Sequence, residues 1–207
     1  MIRDNLKKIF LFVFIFNSVL LYAQKKQLAV ARELLKSGKE LAKAEKSMQT
    51  LLDDSVNRTN TKIWVMLCDV LTKQYEQGNE KLYLKQKYDT AAFFSVTKRM
   101  YETMARFDSV DARLDTPTPV SPKYRERHAQ LLNSIRPNLF NGGTYFLHLK
   151  NYKTAYDYFD NYIRTDKQSL FTGYDYEHKD ALMPHAAYWA MYCGYKLKDT
   201  EKTMRHL

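Results

Sequence analysis

Apolar residues recur at helical spacing along most of this chain. The clearest stretch runs from Asn138 to Asp166. In its first half Leu139, Gly142, Gly143 and Phe146 fall at i, i+3, i+4 and i+7. In its second half Tyr152, Ala155, Phe159, Tyr162 and Ile163 repeat the pattern. Each set lines one face of an α-helix, so the stretch predicts two helices broken at Lys150-Asn151. Small residues at Gly142, Gly143 and Ala155 let the two backbones approach, and the aromatics fill the space on either side. Neither helix can bury its face alone, so the pair calls for neighbours.

The same pairing is found elsewhere. Leu28, Ala31 and Leu35 form a stripe that Val30 and Leu34 widen; a turn follows at Ser37-Gly38-Lys39, then Leu41, Ala44, Met48, Leu51 and Leu52. With one extra turn residue, Val30, Ala31 and Leu34 take the places of Gly142, Gly143 and Phe146. A third pair starts with Trp64, Leu67, Cys68, Leu71 and Tyr75, with Thr59 or Asn60 as N-cap. Its turn is expected to be long, from Glu76 to Lys87, before a helix that opens at Tyr88, Ala91 and Ala92 and runs to about Val110. Asp111 to Val120 reads as loop around Pro117 and Pro119. Ser121-Pro122 is expected to start a helix that carries Tyr124, His128, Leu131, Leu132 and Ile135, and Pro137 to break it. After an irregular insertion over 168–184, Ala187, Ala190, Met191 and Gly194 form a last first-helix face. Thr203 and Leu207 then take the places of Ala155 and Phe159.

The Asn138–Asp166 stretch resembles a tetratricopeptide repeat, a helix–turn–helix unit of about 34 residues. The resemblance rests on Leu139, Gly143, Phe146, the Asn151-Tyr152 turn, Ala155 and Phe159. It departs from the family at Gly142, Tyr162 and Lys167, the last where a closing proline is common. It implies an all-α fold: an α-solenoid of tetratricopeptide-like hairpins with irregular insertions over residues 24–207. The last hairpin is short, so the chain is expected to be a fragment of a longer repeat protein. Some members grip C-terminal carboxylates with Lys and Asn of their first repeat. The equivalent places here hold Leu28 and Arg32, or Ala29 and Glu33, so that function is not implied.

Composition narrows the function. The formal charge is +10 and Tyr numbers 16, but acids interrupt the basic residues and no nucleic-acid-binding motif is present. Residues 1–23 have a basic start (Arg3, Lys7, Lys8), an apolar run from Ile9 to Leu21 and a small residue at Ala23. This is the pattern of a cleaved signal peptide, too short to span a bilayer. The expectation is export to a bacterial periplasm. Cys68 and Cys193 are read as buried packing residues rather than a bridge. Asn57-Arg58-Thr59 matches a glycosylation triplet and is read as loop.

No nucleophile elbow, phosphate loop or catalytic carboxylate pair is evident, and no cofactor or metal is expected. Glu177, His178, Asp180 and His185 lie close in sequence but read as a solvated loop, His128 as a core histidine, and His148 as exposed. What remains is a surface. In a solenoid the first helices line a groove, where the pattern places Val65, Asp69, Thr72 and Lys73; Phe140, Thr144, Leu147 and His148; and Tyr188, Tyr192, Tyr195 and Lys196. The expected role is a non-enzymatic scaffold whose Tyr-rich groove holds a protein or peptide. The alternative is a glycan- or small-ligand-binding protein linked to outer-membrane nutrient uptake. Mass spectrometry of the exported protein should find Gln24 at the N-terminus; an intact Met1 in that fraction contradicts the leader reading.

Overall fold

A computed structural model describes residues 24–114 and 116–206. The signal-peptide expectation and the place assigned to Leu207 lie outside the described residues. Every regular element among them is helical. The chain divides into two compact units, Met1–Gln74 and Tyr75–Leu207. The helix Thr61–Tyr83 gives residues to both.

The first unit holds helix α1 (24–37), α2 (Leu41–Asp53) and the start of α3 (Thr61–Tyr83). Gly38 makes the α1–α2 turn with φ 66°, a region where a Cβ would be strained. Ala31, Leu41, Ala44, Met48 and Leu52 are buried as the periodicity predicts. Val30 is 48% exposed, so it does not widen the stripe, and the match of this hairpin to Gly142 is lost there. Asn60 caps α3, accepting a hydrogen bond from the Lys62 amide at 3.1 Å. Ile63, Trp64, Leu67, Cys68 and Leu71 follow into the core.

The second unit contains the end of α3, then α4 (Thr90–Asp111), α5 (Arg125–Ile135), α6 (Pro137–His148), α7 (Tyr152–Arg164), α8 (Tyr176–Lys179), α9 (Met183–Lys196) and α10 (Thr200–Met204). Helix α3 runs eight residues past Tyr75, through most of the stretch expected to be turn. Gly78 explains the continuation: the ring of Tyr88 lies on it, 2.9 Å from where a Cβ would stand. Tyr88 is therefore a turn residue that packs back on α3, not the start of a helix. Helix α4 buries Phe93, Phe94, Val96, Thr97, Met100, Tyr101, Met104 and Phe107, while Ala91 is only half-buried. The small-residue seam expected at Ala91 is filled instead by phenylalanines. Ser121 does not cap α5, whose first residue is Arg125; the preceding Tyr124 amide donates to Asp111 Oδ2 at 2.9 Å. Pro137 does part α5 from α6, as the first residue of α6, where its missing N–H costs nothing.

The α6–α7 pair matches its pattern closely. Gly142 and Gly143 are buried, and a Cβ on them would stand 2.8 Å from the Tyr158 ring and 2.6 Å from the Phe159 ring. Helix α7 packs against both α6 and α9. In α9 the buried positions are Ala186, Ala190, Cys193 and Gly194, so Ala187 and Met191 sit beside the seam rather than on it. A Cβ on Gly194 would meet the Thr203 backbone nitrogen at 2.6 Å, which brings α10 into backbone contact. Cys68 and Cys193 are both buried, and no disulfide joins them.

Three hairpin turns in this unit share one construction. Each is a Leu-Lys pair whose lysine is left-handed: Lys85 at φ 53°, Lys150 at 57° and Lys198 at 56°. Each closes with the same two bonds. The lysine amide reaches back three residues and the next amide reaches back five, as in Gln86 to Lys81, Asn151 to Phe146 and Asp199 to Gly194, at 2.8 to 3.0 Å. In two of the turns that next residue, Asn151 or Asp199, also caps the following helix. In the third, three residues are inserted before the cap at Asp89. A lysine in this conformation costs roughly 1–2 kcal/mol that a glycine does not. Urea unfolding should therefore find Lys150→Gly more stable than the parent by about 1 kcal/mol, and Lys150→Val less stable; the reverse order contradicts the turn geometry.

Candidate interaction surface

Of the twelve residues expected to line a groove, Val65, Asp69, Thr72 and Lys73 are half-buried on α3 in the first unit. The other eight lie in the second unit on α6 and α9, both of which pack on α7. On α6, Thr144 turns its hydroxyl onto the Phe140 carbonyl at 3.2 Å, and His148 is exposed. Phe140 is half-buried and packs edge-on against Phe159 and Tyr162, with ring centroids 5.5 and 5.8 Å away, so α7 takes up part of its ring.

The α9 residues do form one surface. Tyr188 and Tyr195, two turns apart, are 54% and 69% exposed. Between them Tyr192 is half-buried, held edge-on by Tyr152 at 6.2 Å and Trp189 at 5.7 Å. The Lys196 ammonium lies 5.3 Å over the Tyr192 ring. The result is a strip in which a packed central aromatic is flanked by two exposed ones, of which Tyr188 rests edge-on against Trp189 at 5.0 Å, and by one cation.

The insertion over 168–184 is not a solvated loop. Two 3-10 turns, Thr165–Lys167 and Ser169–Phe171, and helix α8 fold Leu170, Phe171 and Tyr176 into the core. They close over Arg136, which is 4% exposed. Its guanidinium carbon lies 3.7 Å from the Tyr162 ring centre and 3.8 Å from that of Tyr176. Its nitrogens donate to Thr165 Oγ1 at 3.0 Å, to the Tyr162 carbonyl at 3.2 Å and to Asp180 Oδ2. Asp180 also accepts from the Tyr162 hydroxyl at 2.6 Å and the Leu182 amide at 2.8 Å. Burial opposes its charge, but the bonds from Arg136, Tyr162 and Leu182 prevail and hold the carboxyl below its usual range. Burial raises the Tyr176 hydroxyl to about 12 despite the nearby Arg136 cation. Asp180 is thus a core anchor, although the sequence suggested a solvated loop acid. Glu177 pairs with Lys167 at 3.0 Å and His178 with Asp175 at 2.6 Å. Among the described residues no group of three metal-ligating side chains is assembled.

A second ion pair, with its carboxylate buried and its arginine half-buried, stands nearby. Asp108, 3% exposed, takes both Arg125 Nε and Nη2 at 2.8 and 2.7 Å and the Ser169 hydroxyl at 2.9 Å. Beside it opens a cavity of about 470 Å³ lined by Arg125, Glu126, Gln130, Ser169, Thr172 and Tyr174. Sequence reasoning missed Arg136, Asp108 and this cavity. The density of Leu170, Phe171, Tyr174 and Tyr176 in the insertion was the one signal that the segment is packed.

His128 is buried between Tyr124, at 5.9 Å, and Phe107, at 5.7 Å. Burial first, then the Arg127 cation, push its pKa down to about 4 against the pull of Asp108 and Asp111.

No family model matches this chain, and neither does any curated protein or solved structure.

The histidine sets a pH dependence. Between pH 6.5 and about 4 the unfolded chain binds a proton at His128 that the folded chain does not. Stability from this group is therefore complete above about pH 7 and falls as the pH drops toward 4, by up to about 3 kcal/mol. Urea midpoints measured from about pH 7 to 4.5 should show this slope, and His128→Phe should flatten it; an unchanged slope in the variant contradicts a buried neutral histidine.

Proposed function

We propose that this chain is an exported bacterial scaffold of tetratricopeptide-like hairpins, stacked as an α-solenoid, that holds a protein partner and carries out no chemistry of its own. The observation that carries the reading is the strip on α9. Tyr188 and Tyr195 stand in solvent on one helix face beside the packed Tyr192 and Lys196. Tyrosines fixed on a rigid helix give contact area at small entropic cost, and they are enriched at the centres of protein interfaces. The three turns of common design and the glycine seams of α6 and α9 support a repeat origin for the framework. The apolar leader at 1–23 supports export.

The cavity beside Arg125 favours a second reading, a sugar or other small polar ligand. An aromatic ring at Tyr174 and planar polar groups at Arg125, Glu126 and Gln130 suit a sugar's flat face and hydroxyls. Two variants separate the readings. Under the scaffold reading, Tyr188→Ser/Tyr195→Ser loses a partner captured from envelope extract, with roughly a tenfold drop or more in recovery and an unchanged circular dichroism spectrum. Under the ligand reading, that variant behaves as the parent, and Tyr174→Ser instead abolishes hits on a glycan array. Capture that survives the double tyrosine variant contradicts the proposal.

A further inference from the structure

The three Leu-Lys turns lie at one end of the second unit. Helices α5 and α6 run against α4: the contacts pass from Phe107 on Tyr124, through the Tyr101 hydroxyl on the Leu132 carbonyl, to Phe94 on Tyr145, so numbers fall along α4 as they rise along α5 and α6. The pair α7 and α9 is also antiparallel: Tyr152 at the start of α7 meets Tyr192 near the end of α9. At the other end of α7, the Tyr162 carbonyl and Met183 at the start of α9 both receive Arg136 Nη2. The start of α4, the α6–α7 turn and the end of α9 are thereby brought to the same side. Turns 84–89, 149–151 and 197–199 project there together.

Each turn presents a large apolar side chain to solvent beside lysine. Leu84 is 54% exposed, Leu149 59% and Leu197 37%, and Tyr83 next to the first is 84% exposed. Around them Lys81, Lys85, Lys87, Lys150, Lys153, Lys196 and Lys198 are exposed, and none of these pairs with a carboxylate among the described residues. Of the acids in the same stretches, Asp89 and Asp199 are engaged by the helix N-termini they cap, Asp199 also holds Lys202, Glu201 pairs with Arg205, and Glu80 is exposed beside Lys81.

Turn geometry does not account for the lysines. At all three left-handed positions glycine or asparagine fits with less strain; the chain also tolerates Glu40, Arg113 and Asp175 in this conformation, so it is the recurrence of lysine at three tips on one end that stands out. Every residue from Tyr83 to Lys87 is exposed, as are Leu149, Lys150, Asn151, Leu197 and Lys198. A plane has three points to rest on.

We propose that this end of the helical array docks peripherally on an anionic phospholipid surface. Leu84, Leu149, Leu197 and Tyr83 enter the headgroup boundary, and the lysines around them meet the lipid phosphates. Tyrosine and leucine flanked by snorkelling lysines are suited to that depth, and each lysine near an anionic surface is worth roughly a fivefold gain in partitioning. No described helix is long and apolar enough to cross a bilayer, which agrees with contact at the surface alone. Docking through these tips requires neither the α9 strip nor any protein partner.

The test places an environment-sensitive dye on single cysteines in the full chain, at Leu84→Cys, Leu149→Cys and Leu197→Cys, with Thr172→Cys as an exposed control near the other end of α7. The native cysteines are buried and should not label. Vesicles containing phosphatidylglycerol should brighten and blue-shift the dye at all three turns but not at residue 172, and phosphatidylcholine vesicles should leave all four unchanged. The dye reads insertion locally, so lipid affinity of residues 1–23 does not produce the pattern. Lys85→Asn/Lys150→Asn/Lys198→Asn keeps the turns and should weaken the response by on the order of a hundredfold; Lys123→Gln/Lys167→Gln/Lys179→Gln, exposed at the opposite end of the same unit and with the same loss of charge, should not. The proposal is overturned by silent turn sites, by an equal response at residue 172, or by equal weakening in the two lysine variants. A response to soluble polyglutamate matching that to vesicles assigns the edge to an acidic protein, and overturns it too.

Discussion

Gly143 lets α6 rest on the ring of Phe159 at a distance that leaves no room for a Cβ, and much else in the second unit follows from that close approach. Phe159 is fully buried and is held from the side by Phe140. One residue earlier, Gly142 meets Tyr158, whose ring also touches Phe94 and so ties the hairpin to α4. Helix α7 then has its second face free for α9, where Gly194 repeats the device against the backbone of Thr203. Removing side-chain volume at three positions sets the spacing of four helices. The tight turns at Lys150 and Lys198 are what hold each pair in register.

Close packing of slender helices leaves their far ends to be closed by other means, and here the closure is polar. Arg136 stands at the α5–α6 break, where Pro137 leaves the backbone without a donor, and its guanidinium reaches the end of α7, the insertion and the start of α9. Two tyrosine rings cover its faces, and each of its nitrogens has an acceptor. Asp108 with Arg125 makes a similar joint between α4, α5 and the insertion. Such pairs stabilise little in net terms because burying the charges is costly. Their consequence is specificity: one arrangement gives every Arg136 nitrogen and both Asp108 oxygens a partner, and a displaced insertion would strand a charge in the core. The exposed features, the α9 strip and the lysine-bearing turns, are presented by a framework fixed in this way.

The helices and the α6–α7 hairpin were legible in the sequence because their signals are local. Leu139, Gly142 and Gly143 fall at one spacing, Ala155 and Phe159 at another, and the turn residues Lys150-Asn151 mark the break between them. The end of α3 was not legible, since Glu76, Gln77, Asn79 and Glu80 look like a polar turn. Only the later return of Tyr88 onto Gly78 shows why the helix persists. Ala91 misled for a related reason: an alanine spaced like Ala155 carries no information about whether the neighbouring phenylalanines will take the seam. The Arg136–Asp180 and Asp108–Arg125 joints span 44 and 17 residues, and nothing in the local pattern distinguishes their charges from solvated ones. At the candidate surface, Tyr188, Tyr195 and Lys196 could be placed from helix phase alone, whereas the contacts of Phe140 with Phe159 and Tyr162 could not.

Urea unfolding of Gly143→Ala against Gly173→Ala tests the packing of these helices most directly. Alanine in a helix interior is favoured over glycine by roughly 1 kcal/mol, so without the close approach the Gly143 substitution stabilises the protein. With it, the added methyl forces Phe159 out of a filled site, and the variant should lose about 1–3 kcal/mol. At Gly173 nothing lies within 4 Å, and the substitution there should be close to neutral. A Gly143→Ala variant as stable as the parent, or more so, would contradict a seam built on the absence of a side chain.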